Sequence, residues 1–319
     1  MTRKNTTTRI NINQNPFTRP INIILLSILC TVLWGSAFPS IKIGYQLFAL
    51  ANDDISGKLV FAGIRFFFAG IITLLISLIQ NKQFPCLHSS DVKGMLLVSL
   101  FQTILEYIFF YIGLSQITGV KGSILTASSS FFVVLLAHFV YKNDKLNKSK
   151  FFGCSIGFAG IVLINLNGIS SADLGFSLSG DGFMLLSALC FAIGSLISKN
   201  ICQTADATVV TGYQLGIGGL VLMLLGFLTG GKLSHITLTG VLLLAYMSLL
   251  SAIAFTVWTV LSKYNRISQI AVYNFLTPVF GALLSALFLG DLLFTWNNLL
   301  ALILVCIGIY IVNVQKVSS

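Results

Sequence analysis

Ten separate stretches of this chain are each long enough and apolar enough to cross a lipid bilayer: residues 22–42, 59–79, 94–114, 122–141, 151–167, 182–201, 208–229, 238–261, 267–289 and 298–314. A helix needs roughly 20 mainly apolar residues to traverse the hydrocarbon core. Hydrophobic residues make up 56% and charged residues 9% of the chain, and mean hydropathy is +0.93, a mixture that a water-soluble globule could not keep in solution. The expected fold is an all-α integral membrane protein of ten transmembrane helices. Its loops are too short to hold a soluble catalytic or regulatory domain.

The formal net charge of +10 speaks for orientation rather than for a nucleic-acid partner, because in a membrane chain the placement of Lys and Arg matters more than their sum. With the N-terminus in the cytoplasm, fourteen cations fall on the inner side, among them Arg3, Arg19, Lys93, Lys142, Lys150, Lys199, Lys263 and Lys316. Only Lys42, Lys58, Lys121 and Lys232 fall on the outer side, and Arg65 lies inside a span. Both termini are therefore expected in the cytoplasm, with the chain multi-pass in a cell membrane. The apolar run after residue 20 is too long for a signal-peptide core and lacks a small-residue cleavage site. Six cysteines show no C-x-x-C spacing, so no metal, cofactor or disulfide framework is expected.

The chain divides at a Gly/Ser/Asp stretch. Residues 1–20 read as a disordered cytoplasmic tail, 21–167 as a first repeat, 168–180 as a linker, 181–314 as a second repeat and 315–319 as a short tail. "LLSILCTVLWGS" (25–36) is echoed by "LLSALCFAIGS" (185–195), and "KNDKL…GFAGIVLIN" by "LGDLL…VCIGIYIVN", in matching order. Five spans per half oblige the second copy to enter the membrane upside down. Inverted repeats of this kind place a binding site near the midplane between the halves and support alternating access.

"VLWGSAFPSIKIG" (32–44), "GIRFFFAGIITLLI" (63–76), "FFYIGLSQITG" (109–119) and "NFLTPVFGALLSALFLGD" (274–291) resemble the EamA-type drug/metabolite transporters over about residues 22–314. Where that family usually carries L-G-E after the fourth and ninth spans, this chain has Asp144 and Asp291. The resemblance implies a ten-helix inner-membrane carrier, often an exporter of amino acids or other small metabolites.

Glu106 is the sole glutamate of the chain and lies within the third span, about 13 residues from its inner end and nine from its outer end. A carboxylate there is costly unless it faces the bundle interior, so Glu106 is either a proton-carrying group or a hydrogen-bonded structural one. Arg65 sits at a similar depth in the second span and is expected to pair with Glu106, the alternative being that it snorkels to outer headgroups. Trp34, mid-span, is too deep for an interfacial belt. It either packs or offers a stacking surface beside Gly35 and Ser36, whose small side chains leave room.

Pro39 and Pro278 are expected to interrupt their spans and to disturb the carbonyls of Gly35 and Asn274, four residues earlier. Tyr107, Tyr111, Thr126, Ser128, Ser129, Ser130, Ser195, Tyr273 and Thr277 add neutral hydrogen-bonding groups, which serve as interhelical glue or as cavity lining. One carboxyl among few cations suits a neutral, zwitterionic or cationic small molecule, with protons as a candidate coupling ion. "GCSIG" (153–157) and "GYQLGIGG" (212–219) carry small-residue spacing for close helix contact, within the chain or in an oligomer.

Catalysis in the membrane would call for convergent His and acidic groups within the spans, whereas His88 and His235 fall in loops and His138 near a span end. A passive channel would call for a filter-like loop or a ring of charge, and the spans display neither. A secondary carrier remains the reading that uses all of these features.

Overall fold

Lipid leaves backbone polar groups no partner but the chain itself, and every regular element among the described residues is helical. The computed structural model describes residues 15–51, 53–117, 119–165, 176–289 and 296–313. The remainder of the expected N-terminal tail, most of the 168–180 linker, Asp291 and the C-terminal tail lie outside the described residues.

Ten helical segments result, five on each side of residues 166–175. The first five are α1 (Pro20–Leu47), α2 (Ile55–Asn81), α3 (Ser89–Ser99) continued by α4 (Glu106–Ser115), α5 (Gly119–Val140) and α6 (Lys148–Asn165). The second five are α7 (Phe183–Ile201), α8 (Ala207–Leu228), α9 (Leu238–Tyr264), α10 (Ile267–Ala271) continued by α11 (Leu276–Leu289), and α12 (Trp296–Asn313). Among the described residues, seven of these segments meet the length and composition needed to cross a membrane, and Leu125–Val140 and Leu302–Asn313 are shorter apolar helices.

Local chemistry sets the ends. Pro20 occupies the first turn of α1, where its missing N–H costs nothing. Asp54 caps α2 by accepting from Gly57 N at 2.7 Å, and Asp206 caps α8 by accepting from Thr208 N and Val209 N. Contrary to the expected interruption, α1 runs unbroken through Pro39.

Helix packing rests on glycine contacts within the chain. On α2, Gly63 and Gly70 are seven residues apart, as are Gly212, Gly219 and Gly226 on α8, so each set forms a stripe on one face. A Cβ at Gly70 would stand 2.3 Å from Gly216 N, and one at Gly219 would stand 2.2 Å from Phe67 N. The two backbones thus touch. Likewise a Cβ at Gly308 of α12 would stand 2.5 Å from Gly153 O of α6.

The most extensive helix contacts recur when the halves are exchanged. Setting α1 against α7, α2 against α8, α3–α4 against α9, α5 against α10–α11 and α6 against α12, the pairs α2·α8 and α6·α12 map onto themselves. The α1·α11 pair maps onto α5·α7, and α1·α9 onto α4·α7. The weak sequence echoes are therefore matched by a repeated packing scheme.

Gly70→Ala is expected to lower the thermal unfolding midpoint of detergent-purified protein by several degrees, since overpacking costs about 1–3 kcal/mol. Gly216→Ala in the same interface should be neutral or stabilising, because its Cβ would approach Gly70 Cα no closer than 3.9 Å. Equal effects of the two substitutions would contradict the proposed backbone contact.

Candidate functional site

Among the described residues, two departures from regular α geometry border the same space. The third segment widens into a π-helical turn at Leu100–Leu105, immediately before Glu106. Side chains from the second half brace it: Gln102 Nε2 donates to Ser195 Oγ at 3.0 Å, Gln214 Nε2 to Thr103 Oγ1 at 3.3 Å, and Ser99 Oγ to Gln214 O at 3.0 Å. Such wide turns concentrate at functional sites because they rotate the residues that follow.

The ninth segment breaks at a 3₁₀ turn, Val272–Phe275. Pro278 falls in the first turn of α11, where backbone N–H groups have no helical partner in any case. Asn274, inside the break, donates to Ser129 Oγ at 3.3 Å and accepts from Thr277 Oγ1 at 2.8 Å.

Between these breaks lies a chamber of about 120 Å³. Its charged walls are Arg65 and Glu106, and its polar walls include Thr126, Ser129, Ser187, Asn274 and Thr277. Trp34, Tyr107, Phe110, Phe191 and Phe255 supply aromatic surface. Trp34 lines the chamber and packs edge-on at 4.9 Å against Trp258 and 5.5 Å against Phe255.

The expected ion pair does not form: among the described residues no salt bridge joins Arg65 to Glu106. Equal depth on two helices sets the level of a side chain but not the direction it points. Arg65, 3% exposed, donates from Nε to Ser251 Oγ of α9 at 2.8 Å and lies 4.9 Å from the Phe66 ring centroid. Ser251 Oγ in turn donates to Met247 O at 2.9 Å, which leaves a lone pair for the guanidinium. Glu106 Oε2 is buried with no hydrogen-bond partner.

Seven of the sequence-selected residues stand apart from the chamber walls, Tyr111, Ser130 and Tyr273 among them. Gly35 packs on α11, where a Cβ would meet Phe280 Cβ at 2.7 Å. Ser36 Oγ bonds Leu33 O at 2.8 Å and Tyr246 OH at 2.7 Å. Ser128 lies on α5 outside the lining. Ser195 belongs to the next layer, where it meets Ser130, Val133, Trp258, Ile267 and Ala271 without leaving space for a water molecule. Phe191, Phe255 and Ser187 are walls that sequence reasoning missed, since one apolar residue on an apolar helix carries no directional signal.

A larger space adjoins the chamber. This vestibule, of about 410 Å³, shares Phe38, Ile41, Phe110 and Thr126 and adds Lys42, Tyr45, Lys58, Tyr111 and Ser115. Beyond the packed layer on the other side, polar bonds tie the halves together. Asp144, 2% exposed, pairs with Lys150 Nζ at 2.5 Å and accepts from Ser268 N of α10 at 3.0 Å and from Ser268 Oγ. Tyr141 OH donates to Asn200 Oδ1 at 2.8 Å, and within the second half Lys199 Nζ donates to Ser262 O at 2.5 Å and also to Asn265 O.

Residues 21–166 and 178–314 each match the EamA-like transporter family. The chain belongs to that family. Among its EamA-like relatives, the uncharacterized transporter YvbV of Bacillus subtilis is 29% identical over 314 residues, covering 95% of this chain and 94% of its own. The uncharacterized inner membrane transporter YedA of Escherichia coli is 25% identical, covering 90% and 92% respectively. A chloroplastic WAT1-related protein of Arabidopsis thaliana is 25% identical over 291 residues, and the match spans 66% of its length. A solved crystal structure superposes with a TM-score of 0.75 at 16% identity, over 92% of this chain and 96% of the other, a likeness of fold. The EamA-like assignment makes the protein a multi-pass membrane transporter.

Ser251→Ala is expected to lower the unfolding midpoint, because a buried charged donor left without its acceptor costs about 1–3 kcal/mol or more. In the Arg65→Met background the same substitution should cost little. Additive losses in that double-mutant cycle would show that Ser251 does not hold Arg65.

Proposed function

We propose that this chain is a secondary carrier for a small zwitterionic solute of the amino-acid class, working by alternating access between two inverted five-helix halves that together cross the membrane ten times. One observation carries the reading: Arg65 and Glu106 line one aromatic-walled chamber without pairing to each other. Each charge is expensive to leave alone in a low-dielectric interior. A solute with a carboxylate and an ammonium satisfies both, the carboxylate at Arg65 and the ammonium at Glu106, while Trp34, Phe191 and Phe255 cover its apolar part. Tyr107, Ser129 and Asn274 supply neutral hydrogen bonds around it.

The excess of Lys at the sealed end supports placing that end, and both termini, in the cytoplasm, so that the vestibule faces outward. Export is the direction we assign, on the family likeness. In the absence of solute a proton on Glu106 substitutes for the ammonium, which couples the return step to the proton gradient. The recurring packing of the two halves supports a rocking motion. The Asp144–Lys150–Ser268 cluster acts as the latch that must open, since it joins the first half to the broken ninth segment of the second.

In proteoliposomes loaded with a radiolabelled neutral amino acid, Glu106→Gln should reduce pH-gradient-driven flux at least tenfold without loss of folded protein. Unchanged gradient-driven flux would remove Glu106 from coupling, and a failure of the wild type to move any neutral amino acid would remove the substrate class. Asp144→Asn should expose the sealed layer. With Cys86 and Cys306 replaced, an Ala271→Cys reporter in inside-out vesicles should react with an impermeant thiol reagent at least fivefold faster in Asp144→Asn than in Asp144→Glu. Equal rates would mean that Asp144 does not hold the sealed end shut.

A further inference from the structure

The π-helical turn that precedes Glu106 belongs to the first half, yet the side chains that grip it come from the second. Its own helix aside, α7 and α8 are the helices packed most closely on Leu100–Leu105. On α7, a Cβ at Gly194 would stand 2.6 Å from Gln102 Cβ, so the turn sits in a notch that only a glycine leaves open. Ser195, the next residue, accepts from Gln102 Nε2 at 3.0 Å. On α8, a Cβ at Gly218 would stand 2.6 Å from Thr103 Cβ. Gln214, one helical turn earlier on the same face, donates to Thr103 Oγ1 at 3.3 Å. Gln102 and Thr103 are both buried, and each is held by a notch and a hydrogen bond together.

Thr103 also carries the backbone of Glu106. The N–H of Glu106 donates to Thr103 O, three residues back, so the ladder passes from a wide turn to a tight one at the carboxyl-bearing residue. A displacement of Thr103 by α8 is passed to Glu106 through that bond, because a close-packed interior transmits strain. At the other end of the side chain, Glu106 Oε2 is buried without a hydrogen-bond partner. No bond at that atom fixes the carboxyl, and its direction follows the backbone.

We propose that Gln102 and Thr103 are positioning residues for Glu106, through which α7 and α8 set the direction of its carboxyl. This role rests on the reading of Glu106 as the proton-carrying group and deepens it. Rocking of one half against the other moves the two glycine notches, and the turn converts that movement into a change in where the carboxyl points. Tyr107 on the same helix and Cys190 of α7 are within electrostatic reach of Glu106, and Arg65 shares the chamber with it. Redirecting the carboxyl alters its distance from each of them, so that proton loading and the position of the halves are linked at a single turn.

The test exploits the fact that Glu106 is the sole glutamate of the chain. Full-length protein made by cell-free synthesis with glutamate carrying carbon-13 at the carboxyl gives one side-chain carboxyl resonance, assigned by its loss in Glu106→Gln, and its movement with pH reports the ionisation of Glu106 alone. Thr103→Val and Gln214→Met remove the hydroxyl or its donor at nearly constant volume, and each should move the midpoint of that titration by at least one pH unit. Thr103→Ser should leave it within a few tenths of a unit. Gly308→Ala, which overpacks the α6·α12 contact rather than the turn, should lower the unfolding midpoint and leave the titration in place. Should Gln214→Met fail to fold, Ser195→Ala, which removes the acceptor of Gln102, should move the titration in its stead.

An unmoved titration in Thr103→Val and Gln214→Met, or an equal movement in Gly308→Ala, would overturn the positioning role. A titration that moves as expected in a protein whose gradient-driven flux survives Glu106→Gln would instead overturn the coupling reading and leave the positioning standing. A wild-type resonance that pH does not move would remove Glu106 as a proton carrier, and its displacement at fixed pH in Thr103→Val but not in Gly308→Ala would then decide the positioning.

Discussion

A backbone in hydrocarbon must satisfy its own hydrogen bonds, and every other feature of this protein is arranged around that demand. Among the described residues helices meet it, with the ladder distorted beside the chamber at Leu100–Leu105 and Val272–Phe275 and, just before α7, at Leu178–Gly182. The first two border the chamber, and Gln102 and Thr103 of the one and Val272, Tyr273 and Phe275 of the other are buried. Gln102, Gln214, Ser99 and Ser195 brace the first break, and Ser129 and Thr277 the second. The irregular backbone turns Glu106 and Asn274 into the chamber, and the side chains around it make the irregularity tolerable.

The chamber keeps its two charges apart. A direct Arg65–Glu106 pair would satisfy both groups and leave no vacancy for a solute, whereas the hydroxyl of Ser251 holds the guanidinium on the α9 side. The arrangement stores an unmet electrostatic demand inside an aromatic box. In the proposed mechanism that demand is the source of specificity, since only a solute or proton of suitable charge relieves it.

The recurring packing of the two halves is what the proposed alternating access would draw on. The glycine contacts of α2 with α8, and of α6 with α12, join equivalent elements of the two halves at backbone distance. Small residues make these contacts smooth as well as close, which suits them to act as pivots. Bulky and polar contacts, such as the Asp144 cluster and the layer around Trp258, lie where the proposed rocking has to separate the halves.

Much was legible in the chain itself. Hydropathy marked the ten helical segments, the lone Glu106 and the mid-span Arg65 and Trp34 marked the chamber's level, and Pro278 marked the break beside Asn274. These signals are readable because a charge, an indole or a proline is costly in lipid wherever it points. Gly35, Ser36, Ser128 and Ser195 show the limit. Their residue types are compatible with a cavity, yet the helix faces they occupy turn them toward α11, Tyr246 or the packed layer. The sequence alone determined that the chain is a helical membrane protein of two similar halves with rare charges at mid-depth. Only the tertiary structure decided that Arg65 takes Ser251 rather than Glu106 as its partner and that Phe191 and Phe255 are walls. Burial cost is a property of each residue, whereas azimuth and partner are properties of how helices pack.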